Sequence, residues 1–339
     1  MRLARYVVRR VLLLPVLLVG VSVLSFVLSH LVPADPATAF LGQRAAGDPV
    51  VVAAFKHRWG LDRPLPVQYW IYLEGLLHGD MGTSLSTRRP VTVDLRERFP
   101  ATVELAIGAM VLSVVVGVPL GLFAGVRRRG IAADAARAVS LLGVSTPVFW
   151  LGLMAIILFY AELGWAPAPG PLGLEVTPPP TITGLLIPDA VLAGQFGVAL
   201  DALKHLALPA AVLSTYSLGS LTRLMRSTMI ETLTEDYVRT ARAKGLPHWS
   251  VVVRHAARNA FIPVLTVMGL NFGNLLAGAV VTETVFSWPG LGQYAFEAAS
   301  SLDFAAIMGV GMLIALTYLV MSLLVDVTYA FIDPRVRIG

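Results

Sequence analysis

Six long apolar segments constrain the fold of this chain more than any other feature of its sequence. An α-helix rises about 1.5 Å per residue and the hydrocarbon core of a bilayer is about 30 Å thick, so crossing takes roughly 20 residues without exposed charge. Read between charged residues, the segments are 11–34, 105–126, 138–161, 205–222, 259–282 and 304–325. Since 56% of the 339 residues are hydrophobic and 14% are charged, we predict an all-α membrane protein with six transmembrane helices.

The placement of basic residues predicts the orientation of these helices. Arginines precede the first segment, follow the second and crowd the stretch between the fourth and fifth. Cytoplasmic loops of membrane proteins carry an excess of Lys and Arg, so both termini are predicted to be cytoplasmic. The fourth segment is short and contains Pro209, but omitting it would place the basic residues of 223–258 outside. The first segment could instead be a cleaved signal sequence, but it is longer than a signal core of about 7 to 15 residues, and we expect it to be retained.

These segments divide the chain into three parts. Residues 1–34 form the N-terminal tail and first helix, 35–104 an extracytoplasmic segment, and 105–339 a five-helix core with a cytoplasmic loop at 223–258. The first outer segment has helix-like patches at 50–59 and 67–77. A second outer segment, 162–204, is rich in proline, and its apolar part at 176–200 is interrupted by Pro188 and Asp189. That part is predicted to be an outer loop or a re-entrant segment.

The cytoplasmic loop has the pattern of two short helices joined by a sharp bend. Helix-favouring residues at 228–243 end at Lys244 and Gly245, and Pro247 prevents simple continuation. A second helix begins near His248, and its apolar face is predicted to contain Trp249, Val252, Val253 and Ala256. One interpretation is an amphipathic helix resting on lipid headgroups. The other is a docking element for a soluble partner, which would display Arg239, Arg242, Lys244 and His248 around the bend.

Several stretches of the chain resemble one known family. The loop reads DYVRTARAKGL at 236–246 and RNAFIP at 258–263, and further matching stretches are GLDRP (60–64), GDMGTS (79–84), RFPAT (98–102), FSWPGLG (286–292) and DPR (333–335). In this order they resemble permease subunits of the dipeptide, oligopeptide and nickel branch of ATP-binding-cassette importers. Arg239-Thr240-Ala241 stands where the general importer pattern has Glu-Ala-Ala, as is usual in the peptide branch, and Pro263 lies farther beyond Gly245 than in sugar permeases. Together these two departures argue against a sugar importer.

The resemblance implies a type I importer permease fold in the cytoplasmic membrane and a complex of several subunits. The implied partners are a second, homologous permease, two ATPases that hold ATP and Mg, and an extracytoplasmic solute-binding protein. The implied cargo is a dipeptide, an oligopeptide or a similar solute such as a nickel chelate or haem. It also implies that the loop transmits ATPase movements. The predicted coupling residues are Asp236, Arg239, Ala241, Lys244, Gly245, His248 and Trp249.

Several alternatives are weighed against the importer. The sequence has no phosphate-binding loop of the form G-x-x-x-x-G-K-[ST], so we expect a subunit that is not an enzyme and binds no cofactor itself. A secondary transporter or channel that acts without ATPases is the main alternative, and a membrane enzyme is a weaker one. The six histidines lack metal-ligand spacing, and no basic run with interleaved aromatics indicates nucleic-acid binding.

Polar residues near the apolar segments are the remaining candidates for a solute path. Glu104, Glu283, Asp303 and Asp326 lie at segment edges, where water is within reach, and are expected to anchor or pair at the interface rather than to bind solute. Asn271 and Asn274 are more central and fall on one helical face. With Ser217 of the fourth segment, they are either packing residues between helices or part of a polar translocation path.

Overall fold

The computed structural model describes residues 2–31, 48–58, 62–127 and 129–332, and it is helical in all of its regular elements there. The helices of the first half are α1 (Arg2–Leu31), α2 (Pro49–Arg58), α3 (Leu65–Leu77), α4 (Val91–Val126), α5 (Ile131–Ser145) and α6 (Val148–Glu162). Those of the second half are α7 (Leu186–Leu192), α8 (Phe196–Thr232), α9 (Asp236–Ala243), α10 (His248–Gly278), α11 (Val280–Val285), α12 (Leu291–Ser300) and α13 (Phe304–Ile332).

Five helices of the described chain are long and apolar enough to cross a membrane: α1, α4, α8, α10 and α13. Three of them, α4, α8 and α13, contain a whole predicted segment, while α1 and α10 each overlap most of one: α1 ends at Leu31 and α10 at Gly278, before the predicted ends at 34 and 282. The fourth segment, weakest in the sequence, belongs to a helix of 37 residues that continues through Pro209. The helix α4 begins at Val91, well before residue 105, so the division of the chain at 104/105, which stays a prediction, falls inside a helix.

The third predicted segment, 138–161, is not one helix. The helix α5 ends at Ser145, and Pro147 caps the start of α6 with an extended backbone. Proline cannot donate a backbone hydrogen bond and disfavours helical geometry at the residue before it, here Thr146. The sixth crossing is therefore divided between the end of α5 and the shorter apolar helix α6, of residues Val148–Glu162.

Helix α8 is the centre of the fold. It packs against α4, α5, α6, α7 and α10, while α13 packs against α1, α4, α10 and α12. The backbones approach closely where α4 crosses α8: a Cβ on Gly121 would lie only 2.5 Å from the carbonyl oxygen of Thr222, so the contact requires glycine there. Such small residues allow helices to associate within a bilayer. The helix α4 also widens into a π-type turn at Ser113–Gly117, just before Pro119 removes a backbone donor.

The outer segments differ in part from their predicted form. The two helix-like patches of the first segment are present as α2 and α3. In the second, Pro188 and Asp189 do not break the apolar stretch but lie in the first turn of α7, where a missing backbone donor is tolerated. The break comes at 193–195, where Gly194 has a φ of +71°. Two matching stretches, Gly60-Leu61 of GLDRP and DPR at 333–335, lie outside the described residues.

Candidate functional site

The cytoplasmic end of α8 leads into a compact element, residues 233–250, that we call the cytoplasmic hairpin. It contains a turn at 233–235, α9, the bend at 244–247 and the start of α10. The predicted single helix at 228–243 is therefore wrong, because that turn interrupts it. Val238 and Ala241 are buried and pack in one apolar cluster with Met229 of α8 and Val251 and Val252 of α10. This packing fixes the hairpin to the ends of both long helices.

Gly245 makes the bend, as predicted. Its φ is +76°, and its N–H donates to the carbonyl of Arg242 at 2.9 Å, while the Leu246 N–H donates to the carbonyl of Ala241 at 3.4 Å. A Cβ at this position would meet no atom within 4 Å. The requirement for glycine is therefore set by the left-handed backbone itself and not by a neighbouring group.

The outer face of the hairpin is exposed and mixes basic with aromatic and apolar side chains. Of the predicted coupling residues, Ala241 is buried and contributes to packing; the exposed ones are Asp236, Arg239, Lys244, Gly245, His248 and Trp249. Asp236 is paired with Arg239, with 3.2 Å between a carboxylate oxygen and a guanidinium nitrogen. Tyr237 and Leu246, which sequence reasoning did not select, are also exposed, and the Tyr237 hydroxyl accepts a hydrogen bond from Asn259 at 2.8 Å.

The predicted apolar face of the second helix is only half right. The buried residues are Val251, Val252, Ala256 and Ala257, whereas Trp249 is 60% and Val253 41% exposed. Residues Val251–Ala257 form a π-type turn, which places more residues in each turn and rotates the buried stripe. A periodicity of 3.6 residues cannot anticipate this shift. Trp249 stacks on Phe123 of α4, with ring centroids 6.2 Å apart.

Asn271 and Asn274 lie one turn apart on α10 but differ in environment. Asn271 is 6% exposed, and its side-chain amide donates to the Ser217 hydroxyl of α8 at 3.3 Å. Asn274 is exposed in the isolated chain. The hydrogen bond between Asn271 and Ser217 therefore links α10 to α8. The amide of Asn274 lies on the surface of α10 that no other part of the described chain covers.

The carboxylates at the segment edges are more deeply enclosed than the sequence suggests. Glu104 is 6% exposed and accepts hydrogen bonds from the backbone N–H groups of Leu186 and Ile187 at the start of α7. Asp303 is fully buried and accepts from the Ser84 hydroxyl at 2.6 Å and the Leu85 N–H at 2.7 Å. The expectation of pairing holds, but that of accessible water is wrong for both. The exception is Asp326, which is partly exposed and pairs with Arg10 at 2.8 Å.

Glu283 is the centre of a junction between two of the matching stretches, RFPAT and FSWPGLG. Its buried carboxylate accepts from the Thr102 hydroxyl at 2.6 Å and from the N–H groups of Gly292 at 2.7 Å and Gln293 at 3.0 Å. A Cβ on Gly290 would come within 2.4 Å of this carboxylate, so glycine makes room for it. The indole N–H of Trp288 donates to the carbonyl of Ala101 at 2.8 Å. The junction thus joins the outer ends of α4, α11 and α12.

A further buried carboxylate orders the second outer segment. Asp189 accepts hydrogen bonds from the backbone N–H groups of Ile182, Thr183 and Gly184 and from the Thr183 hydroxyl. Burial acts to raise the pKa of Asp189, but these hydrogen bonds together outweigh it and lower the pKa below 3.8. Sequence reasoning noticed Asp189 only as an interruption of an apolar stretch.

Comparison with known proteins gives agreement over nearly the whole chain. Residues 117–338 match the family described as binding-protein-dependent transport system inner membrane component. Residues 3–106 match the family described as the N-terminal region of such membrane components. The probable D,D-dipeptide transport system permease protein of Escherichia coli strain K12 is 46% identical over 320 residues, covering 94% of each chain. A di/tripeptide transport system permease protein of Pseudomonas aeruginosa is 44% identical, covering 98% of each. A glutathione transport system permease protein of Salmonella choleraesuis is 38% identical, with the same coverage.

Proposed function

The chain belongs to the family of inner membrane components of binding-protein-dependent transport systems, and we propose that it is the permease subunit of an ATP-driven importer for di- or oligopeptides. It has the type I importer permease fold and is a multi-pass inner membrane protein that is not itself catalytic. Similarity to permeases named for D,D-dipeptides, di/tripeptides and glutathione supports a small peptide as cargo.

The cytoplasmic hairpin is the observation on which the proposal depends. Helix α8 has 37 residues and is thus about 55 Å long, well beyond the about 30 Å of hydrocarbon. Thr232, the last residue of α8, lies nine residues past Arg223, the first charged residue after the apolar segment. For a helix near the membrane normal this is about 13 Å, more than a headgroup layer of about 5 to 8 Å. The end of α8 and the turn that follows it therefore project into the cytoplasm, and the hairpin returns at Trp249 to the level of Phe123 near the end of α4. The projecting part favours a soluble partner over headgroups.

The exposed face of the hairpin has the composition of a docking surface. Aromatic residues and arginine are enriched at protein interfaces, and Trp249, Tyr237 and Arg239 are all exposed here. We assign this face to one of two ATP-binding-cassette ATPases, which hold the ATP and Mg. The remaining partners are a second, homologous permease and an extracytoplasmic solute-binding protein.

The same packing explains how the hairpin would transmit movement. Val238 and Ala241 are held against α8 and α10, and Tyr237 is hydrogen-bonded to Asn259, so α9 moves as one body with both helix ends. Closure of the ATPases would then tilt α8 and α10 together. In the translocation path we place Asn274, which faces outward, while Asn271 and Ser217 keep the two helices in register as they move.

Reconstituted uptake tests this function. The chain is purified both with its neighbouring subunits and by itself, and each preparation is placed in proteoliposomes. Accumulation of a labelled dipeptide is measured with ATP, without ATP and with a proton gradient alone. Uptake that requires both ATP and the ATPase subunits is the expected result. Uptake by this chain alone, driven by the proton gradient, would instead identify a secondary transporter.

A further inference from the structure

Helix α3, in the first outer segment, has an unusual surface for an element outside the membrane. It is 13 residues long, and none of its residues is buried. Its only charged residue is Glu74. The exposed large apolar side chains are Leu65 (53% exposed), Val67 (39%), Trp70 (64%), Ile71 (43%) and Leu77 (79%). A helix in water would not be expected to expose so many apolar side chains.

The most extensive contacts of α3 with another helix are with α1. The Tyr69 hydroxyl and the Ser22 hydroxyl are 2.9 Å apart, the Phe26 and Tyr69 rings meet edge to face at 5.4 Å, and the Phe26 and Tyr72 rings stack at 6.2 Å. Among the α1 side chains that the structure describes, at positions 8–28, Ser22 and Phe26 are the two that are buried. The other face of α3 has no comparable cover within the described part of the chain.

The position of these contacts along α1 gives the depth of α3. Val8–Leu28 is an apolar stretch able to cross the membrane, and arginines at its start place Leu28 at the outer side. Ser22 and Phe26 come six and two residues before Leu28, which is about 9 Å and about 3 Å inside that end. The contact face of α3 thus lies at the level of the lipid acyl chains.

The length and ends of α3 decide how it lies there. Thirteen residues extend about 20 Å, too short to cross about 30 Å of hydrocarbon. Asp62 and Arg63 precede the helix and His78 and Asp80 follow it, all of them exposed, so both ends return to a polar layer. Tyrosine and tryptophan are enriched where a helix meets that layer.

We propose that α3 is an interfacial helix embedded in the outer leaflet, with the face containing Trp70 and Leu77 covered by lipid. The occupant of this surface is the bilayer and not a protein subunit. The proposal depends on the chain being a membrane-spanning subunit but not on the identity of its cargo. It assigns the first outer segment a second attachment to the membrane, beside α1 and before the polar loop at 79–90.

Spin labelling of the complex in proteoliposomes tests this assignment directly. The chain contains no cysteine, so a Trp70→Cys substitution creates a single labelling site, and Leu77→Cys provides a second in case the first variant folds poorly. Arg88→Cys, at the exposed tip of the loop at 79–90, is the matched control on the same outer segment. Collision rates of the nitroxide with oxygen, which partitions into lipid, and with a water-soluble nickel chelate are measured by power saturation.

The two reagents separate the possible environments. Labels at positions 70 and 77 are expected to collide several-fold more with oxygen than with the chelate, and the label at position 88 is expected to show the reverse. Chelate accessibility at 70 and 77 equal to that at 88 would place α3 in water and overturn the proposal. Low accessibility to both reagents would mean that a protein covers α3, and would overturn it as well. Neither outcome bears on peptide uptake, so the proposed function is tested separately.

Discussion

Replacing Gly245 tests whether the bend of the cytoplasmic hairpin is needed to couple ATP hydrolysis to transport. The φ of +76° lies in the left-handed region, and open space surrounds the position where a Cβ would be. The cost of a side chain is therefore conformational, roughly 1–2 kcal/mol for an ordinary residue and more for a β-branched one. A cost of about 1.4 kcal/mol lowers the ratio of the bent form to its alternatives by about tenfold, and the fraction of bent hairpin falls by at most that factor. We expect Gly245→Val to reduce solute-stimulated ATPase activity and uptake severalfold, up to about tenfold for that cost.

Asparagine provides the matched control, because it tolerates the left-handed region better than other residues with a side chain. Gly245→Asn is expected to retain most of the stimulation, and Gly245→Ala to lie between Asn and Val. The assay is ATPase activity of the purified complex with and without binding protein and peptide, normalised to the amount of assembled complex. Wild-type stimulation in Gly245→Val would refute the requirement for the bend. Equal loss in the Asn and Val variants would refute the conformational reason for it.

Three other perturbations address the outer face and the spans. Glu283→Ala leaves three hydrogen-bond donors unpaired, each costing about 1–3 kcal/mol, and should lower the thermal unfolding midpoint of the purified subunit. Glu74→Ala on exposed α3 is the control and should leave the midpoint unchanged. Equal midpoints in the two variants would contradict the stabilising role of the Glu283 junction. Asn271→Ala removes one interhelical hydrogen bond and should cost about 0.6–1.7 kcal/mol of stability, with an unchanged KM for uptake. Asn274→Ala should alter the KM and leave stability unchanged. The opposite pattern would contradict the roles assigned to the two residues. Because the pKa of Asp189 is lowered in the folded state, its stabilisation is complete well above pH 3.8 and declines as the pH falls through and below that value. The difference in unfolding midpoint between wild type and Asp189→Asn should therefore shrink in acid, and a difference independent of pH would contradict this.

The long apolar helices could be predicted because membrane solvation leaves few alternatives. A run of about 20 apolar residues must satisfy its backbone internally, so helix existence follows from composition. The exception, at 138–161, shows where this logic ends. A hydropathy average counts Pro147 only by its polarity and so does not detect a break. Proline lacks a backbone N–H, however, and here it separates the end of α5 from the start of α6.

The bend at Gly245 could be predicted for a local reason, and the buried stripe of α10 could not. A glycine after a basic last turn and before a proline is a short-range signal that needs no tertiary context. The π-type turn at Val251–Ala257 has no comparable sequence signature. The wider turn buries Val251 and exposes Val253, whereas a regular helix was predicted to bury Val253.

The outer carboxylates could not be interpreted correctly because their partners are distant in sequence. Ser84 and Asp303, or Thr102 and Glu283, meet only when the ends of several helices converge. The sequence nevertheless contained a signal, since RFPAT and FSWPGLG both stood out as matching stretches and the structure places them in contact. Treating two distant motifs as possible neighbours would have found this junction.

Cross-linking from the cytoplasmic hairpin tests the central claim most directly. Because the chain has no native cysteine, Leu246→Cys introduces a single thiol beside the bend, at a residue that is 39% exposed. Ser86→Cys on the outer face is the control. In membranes that contain the whole complex, a short thiol-reactive cross-linker is expected to join the Leu246→Cys variant to an ATPase subunit and to leave the control unjoined. Absence of any ATPase adduct from the assembled Leu246→Cys complex would contradict the assignment of this face as the coupling surface.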